Sequence, residues 1–454
     1  MVAGMRWGRA PSGRRPDGEP AVVPLHRAGG VLAAATLFAN VLGYASVLVL
    51  SRALGPDDYG AIGALLGLTV IGGVPALAVQ LVTARLATAS GAAAEVAGLA
   101  AGVAVRLGAA LATAALVAAP ALTWFLHLDG WLPAVLLAAV LFPTPLTSAA
   151  QGLLLGRERF GALSGVYAWA AALRFGAGAT AAVLGWGVSG VMAATAASAS
   201  ASLLVALRVQ PMPLLRGRTP ADRRTPADRR APAPRPPGLP SPGRLVRQVA
   251  SSTVSTAGLM SMVTVDVLLA RHFLSARDSG FYAVGSLFAK AAFWGPQFLA
   301  TLLYPRMSST RHRDVAVARG VLLTGATGAL AVTGAALFGL PAVEVAGGPA
   351  YRGLAGDVWL FAALGGVLAV VQVLVYARLA VADGRLGAAA WVATAVACGL
   401  VATVGHGSVT SVVVSVLLSA VGLAVAGLVL ERGAVSPRTL RSAVRRRPRD
   451  RAGS

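Results

Sequence analysis

The sequence predicts an all-α polytopic membrane protein of about twelve transmembrane helices in two six-helix lobes related as parallel repeats, and three observations carry that prediction. The chain is 56% hydrophobic and only 12% charged, with a mean hydropathy of +0.72, whereas an ordinary soluble domain is about one quarter charged. Its apolar residues fall in uninterrupted blocks of about twenty, the length a helix needs to cross a hydrocarbon core of ~30 Å. The second half of the chain repeats landmarks of the first at an offset near 220 residues. Period-two alternation, the mark of an outer-membrane barrel, is missing from the sequence.

Taken in order, the apolar blocks place spans at 30–50, 61–82, 97–122, 132–154, 162–184, 189–208, 249–270, 281–303, 320–340, 357–377, 388–405 and 408–430. Residues 1–29 form a basic tail whose following apolar block is too long for a signal-peptide core, so the first block reads as a retained helix. The divisions are therefore the tail 1–29, an N-terminal lobe 30–208, a linker 209–248, a C-terminal lobe 249–430 and a basic tail 431–454. The linker is rich in Pro and Arg and carries TPADRR twice in tandem, a composition unable to bury apolar area.

Formal net charge is +22, and of 39 basic residues only Lys290 is a lysine. In a soluble protein such a charge would suggest nucleic acid. Here the arginines gather in tails and loops, where they set topology and meet anionic lipid headgroups, so no nucleic acid is expected as a partner. With the N-terminus inside, and Arg208 counted with the linker, 32 arginines fall on the cytoplasmic side. Only Arg52, Arg271, Arg277 and Arg352 fall outside. That bias places both termini in the cytoplasm of a cell inner (plasma) membrane protein. Cys398 is the single cysteine and lies in an apolar stretch, which excludes an internal disulfide or a thiolate metal cluster.

The repeat is read residue by residue. Arg52 to Gly60 follows the first span, and Arg271 to Gly280 follows the seventh; Asp58 and Gly60 map onto Asp278 and Gly280 at an offset of 220. Pro75 and Arg85 map onto Pro296 and Arg306 at 221, and Arg159 and Gly161 onto Arg385 and Gly387 at 226. An even number of spans per copy makes the repeats parallel, which implies two packed lobes with a cavity between them. Gly55-Pro56-Asp57-Asp58-Tyr59-Gly60 reads as a tight turn, with the aspartates as caps of the next helix and Tyr59 in the interfacial aromatic belt.

SRALGPDDYG at the end of the first span, followed by a helix with GxxxxGGxP leading to TAR, resembles the polysaccharide/oligosaccharide flippase branch of the multidrug/oligosaccharidyl-lipid/polysaccharide exporter superfamily. QGLLLGRERFG at 151–161, LGWGVSGVMAA at 184–194, VDVLLARHFLSARDSGFYAVGSLFAK at 265–290 and LYPRMSS at 303–309 agree with it. The resemblance covers nearly the whole chain outside the tails and the linker. It implies flipping of a polyprenyl-diphosphate-linked oligosaccharide to the outer leaflet, with the lipid-linked sugar and other polysaccharide-assembly proteins as partners. It implies no cofactor and no catalytic residues.

Four ionisable residues fall inside spans, each costing about 2.5–3.5 kcal/mol at a helix centre on insertion scales. Arg106, Arg174 and Lys290 reach the midplane region, while Asp266 sits nearer the outer edge. Two readings stand open. In one, the three cations bind the diphosphate, the arginines as bidentate forks and the lysine as a point charge. In the other, Lys290 pairs with Asp266, structurally or in ion coupling, and the arginines bond to main-chain or amide groups. Asn40, Gln80, Gln151, Gln297 and Gln372 are either sugar-binding or interhelical glue. Pro75 and Pro296 are candidate hinges, or fixed kinks that shape the cavity.

A cation-coupled drug or metabolite exporter of the same fold is the alternative. A lipid II flippase is a further one, although that family typically has two more helices. A multi-pass glycosyltransferase needs larger external loops than the roughly ten residues around Asp57-Asp58, and no GxxxxGK[ST] phosphate loop is present, so direct use of ATP is not expected.

Overall fold

A computed structural model describes residues 25–89, 93–212, 242–296, 313–379, 383–433, Ser436 and Thr439. The basic tails, most of the Pro/Arg-rich linker, Gln297 and the LYPRMSS segment lie outside the described residues. Among those described, every regular element is helical: α1 (Leu25–Ala89), α2 (Ala93–Phe125), α3 (Leu132–Leu141), α4 (Pro143–Gly156), α5 (Phe160–Val183), α6 (Gly187–Val209), α7 (Pro242–Phe273), α8 (Ala276–Trp294), α9 (Arg313–Ala346), α10 (Val358–Leu379), α11 (Arg385–Thr403) and α12 (Val409–Leu430), with a short 3-10 turn at Pro349–Leu354.

These elements follow the expected spans, the eighth (281–303) as far as residue 296, where its described residues end. α1 holds the first two, joined at Gly55, whose φ of 72° and ψ of 176° interrupt an otherwise helical path. Only a residue without Cβ takes that conformation cheaply, and Pro56 then restarts the helix without a lost donor. α3 and α4 together form the fourth span, stepping at Phe142 ahead of Pro143 and Pro145. α9 breaks at Phe338, three residues before Pro341. Pro341 stands 221 residues after Pro120 of α2, a further repeat landmark. α7 begins at Pro242, ahead of the expected 249.

Eight segments are long and apolar enough to cross a membrane by length and composition. α5, α7 and α8 are not among them, and these are the helices that carry Arg174, Asp266 and Lys290. Polarity here marks helices that face the interior rather than lipid. Trp124, Trp131, Trp186 and Trp359 are all exposed and flank helix ends on the side of the bundle that bears Gly55, as an interfacial girdle does. Tyr59 departs from expectation: it is 4% exposed and packs in the main apolar cluster, not in the girdle. The second half of α1 is clamped between α7 and α8, which encloses that ring. No capping bond from Asp57 or Asp58 occurs either; the equivalent cap in the other lobe is made by Ser275, whose Oγ accepts from the Asp278 amide at 3.1 Å.

The lobes meet where α1 crosses α7 and α8. Gly60, Gly63 and Gly67 face Ser279, Ala283 and Thr264. A Cβ on Gly60 would overlap the Ser279 hydroxyl, and one on Gly280 would overlap the Pro56 carbonyl, so the two repeat-related glycines open a close approach in the molecule's seam.

At the opposite end of the C-terminal lobe, Glu431 is 2% exposed and receives both Arg313 (2.6 and 2.8 Å) and Arg378 (3.3 Å). Arg378 also meets Asp383 at 2.7 Å. Sequence placed Glu431 at the start of a solvated tail; instead it ties together the first turn of α9, the last of α10 and the end of α12. Glu431→Ala leaves Arg313 with Asp314 at 3.6 Å and Arg378 with Asp383 alone, and is expected to destabilise the protein by about 1–3 kcal/mol. A lowered unfolding temperature of the detergent-purified variant checks this; unchanged stability would show the cluster to be solvated.

Candidate functional site: a cationic cavity between the lobes

Beyond Gly67 the lobes part. Thr69, Val70, Gly73, Val74 and Leu77 of α1 form one wall of a cavity of about 440 Å³. α3 to α6 supply most of the remainder, and Thr256 and Met260 of α7, Trp294 of α8 and Tyr376 of α10 close it from the other lobe. The volume is that of a small-molecule or headgroup site, not of a lipid tail.

Arg174 of α5 is the charged residue of this lining, which holds no acidic side chain. It is exposed and lines the cavity. Among the described residues no hydrogen bond or ion pair engages its guanidinium, so five N–H donors are left for whatever enters. Around it stand hydroxyls on Thr144, Thr147, Thr195, Ser198 and Ser202. Each spends its proton on a carbonyl three or four residues earlier in its own span, at 2.7–3.0 Å. What remains towards the cavity are oxygen lone pairs, a wall that accepts hydrogen bonds from ligand hydroxyls. Gln151 also lines the cavity.

The other predicted site residues divide. Lys290 is half-buried on α8, one helical turn from Trp294 of the cavity wall, and donates to Ser286 Oγ at 3.3 Å. Asp266 is 2% exposed. It accepts from Tyr282 Oη at 3.1 Å and from the Val267 amide at 2.8 Å. No ion pair within 4 Å joins Asp266 to Lys290, but the two attract each other over a longer separation, and Tyr282 makes the direct contact to the carboxylate between α7 and α8. Arg106 does not join the cavity either: it is exposed on a stripe of α2 that includes Gly102, Ala109, Ala110, Thr113 and Val117. α2 is apolar almost all round, so its pattern gave no phase for that side chain.

Pro75 lies in the helical stretch of α1 after Gly55, beside wall residues Val74 and Leu77. Pro296 is buried two residues past the end of α8, at the last described position before residue 313. Gln80 donates to Tyr167 Oη at 2.6 Å, Asn40 is exposed, and Gln372 is buried with its amide nitrogen unpartnered among the described residues.

Sequence reasoning missed Tyr282, whose aromatic ring in an apolar helix gave no sign of an acidic partner. Tyr282→Phe removes a donor from a buried carboxylate and is expected to cost about 1–3 kcal/mol. Thermal unfolding in detergent reads the loss, and Asp266→Asn on top of it should add little; full additivity would place the tyrosine contact outside the carboxylate's support.

No family model matches the chain, and neither does any curated protein sequence. Solved structures do. An inward-facing multidrug resistance MATE family transporter of the MOP superfamily superposes with a TM-score of 0.67 at 14% identity, over 89% of this chain and 96% of that one. An outward-facing MATE family transporter gives 0.60 at 14% identity, over 93% and 96%. The lipid II flippase MurJ in an inward closed conformation gives 0.69 at 8% identity, over 91% and 89%. This chain is a multi-pass membrane protein with the two-lobe helical fold of the MATE transporters, a fold on which MurJ also superposes.

Proposed function

We propose that this protein is a membrane transporter that moves a polyprenyl-diphosphate-linked oligosaccharide to the outer leaflet for cell-surface polysaccharide synthesis, by alternating access of its two lobes. The unpartnered Arg174 guanidinium in an acid-free cavity carries the reading. A cation inside the span of a membrane bundle without a counter-charge is costly unless water or its ligand supplies compensation, and a phosphate oxygen pair matches its fork. The acceptor-rich hydroxyl wall suits sugar hydroxyls. At about 440 Å³ the cavity holds a headgroup, so the prenyl chain stays in the bilayer while the head crosses between the lobes. Lys290, one helical turn from wall residue Trp294, would receive the second phosphate as the lobes shift. Higher similarity to inward-facing than to outward-facing neighbours supports a cavity loaded from the cytoplasmic side. A bend at Pro75, inside the cavity wall, would reshape the site during that motion.

A cation-coupled exporter of drugs or metabolites is the second reading, favoured by the multidrug names of the MATE neighbours. The sign of the cavity charge separates the two. Ligand-induced thermal stabilisation of the purified protein is expected with undecaprenyl diphosphate and not with a cationic dye such as ethidium. Arg174→Ala should lower the lipid affinity roughly tenfold to a hundredfold, equivalent to about 1.5–3 kcal/mol for a charged hydrogen bond. Arg174→Lys should restore only part of it. Stabilisation by the dye alone would favour the exporter.

A further inference from the structure

Arg52 and Arg271 open the two copies of the repeated segment, and each reaches into the other lobe. Arg52 Nη2 donates to the carbonyls of Glu344 at 3.1 Å and Val345 at 2.7 Å, in the last turn of α9. Arg271 Nε and Nη2 donate to the carbonyls of Leu126 at 2.8 Å and His127 at 3.1 Å, just past the end of α2. α2 and α9 are the third span of their respective lobes. Each lobe therefore offers the arginine at the end of its first span to the C-terminus of the third span across the seam. Carbonyls at a helix C-terminus have no partner within the helix and carry the negative end of its dipole, so a guanidinium satisfies both.

We propose that this reciprocal pair of arginine caps is the latch that holds the lobes shut at the Gly55 end. With the N-terminus inside, that end faces outward. The proposal rests on the alternating-access part of the proposed function and not on the identity of the cargo.

Three features suit the pair to a latch. First, the surrounding inter-lobe bonds sit at the same end: Ser51 Oγ donates to the Ala346 carbonyl at 2.9 Å, Tyr351 Oη to the Ser51 carbonyl at 3.2 Å, and His272 Nδ1 lies 2.9 Å from the Phe125 carbonyl. Second, every acceptor of the two caps in the opposite lobe is a main-chain carbonyl. Opening exposes arginines and carbonyls to water together, so no charge is left buried and alone, as it would be on breaking a buried ion pair. Third, the two caps are unequal. Arg271 is 8% exposed and also donates through Nη1 to the Asp57 carbonyl (3.1 Å) and Ser279 Oγ (3.2 Å), whereas Arg52 is exposed. Arg271 is thus the stronger half of the latch.

The test uses the full chain in proteoliposomes without cargo, in a Cys398→Ser background. Ala283→Cys places a thiol in the buried seam beside Gly63, and Ser198→Cys places one in the cavity. A membrane-impermeant maleimide reports access from each side. Arg271→Gln is expected to raise outside labelling at position 283 at least tenfold, Arg52→Gln severalfold, and the double variant at least as much as Arg271→Gln. Inside labelling at 198 should fall in parallel. Arg271→Lys should release the latch partly, since one ammonium cannot span four acceptors. Should Arg271→Gln fail to accumulate, Arg52→Gln carries the test, because its exposed side chain leaves no buried gap. Unchanged outside labelling in the folded arginine variants overturns the latch. Labelling at 283 and 198 that never trades places in any variant overturns alternating access itself, a distinct outcome.

Discussion

The close approach between α1 and α8 at Gly60 and Gly280 sets the geometry on which the rest depends. Two apolar helices in lipid gain little from hydrophobic burial, so they are held by contact distance and polar bonds. Glycine at repeat-related positions lets the backbones meet, with Pro56 against Gly280 and Ser279 against Gly60. Any side chain there would force the lobes apart. The contact runs to Gly67, and the cavity wall begins at Thr69, nine residues or about 14 Å of helix beyond Gly60. One end is therefore pinned and the other is free to part, the arrangement a rocking pair of lobes requires.

Charge follows the same plan. At the pinned end guanidinium groups are saturated with carbonyls, and at the far end of the C-terminal lobe Glu431 neutralises Arg313 and Arg378. Between them Arg174 is left without a partner, facing oxygen lone pairs that have no protons to offer. A lone cation there is stable only in a cavity that admits water or an anion. The uneven distribution of counter-charges, more than any single residue, separates a binding site from structural glue in this bundle.

Much of this was legible in the chain itself. Apolar block lengths revealed the spans, because a helix must match the bilayer. Gly55-Pro56 revealed the break in α1, and the insertion cost of Arg174 marked it as interior. Other features were hidden for physical reasons. Arg52 and Arg271 bind main-chain carbonyls, which every residue possesses, so no partner residue could be sought. Arg106 sits on a helix without an apolar face to set its phase, and Tyr59 reads equally well as a girdle or as a seam. Asp266 bonds directly to a tyrosine sixteen residues on, with the lysine that charge suggested acting on it only from beyond 4 Å.

The central claim is that an anionic lipid-linked headgroup crosses between the lobes past Arg174. Translocation of a fluorescent undecaprenyl-diphosphate sugar in proteoliposomes tests it most directly, with an impermeant quencher counting probe in the outer leaflet. The account predicts that wild-type protein exchanges the probe between leaflets, that Arg174→Ala slows this tenfold or more, and that an uncharged polyprenyl glycoside is not exchanged. Equal exchange of charged and uncharged probes, or full activity of folded Arg174→Ala, would contradict it.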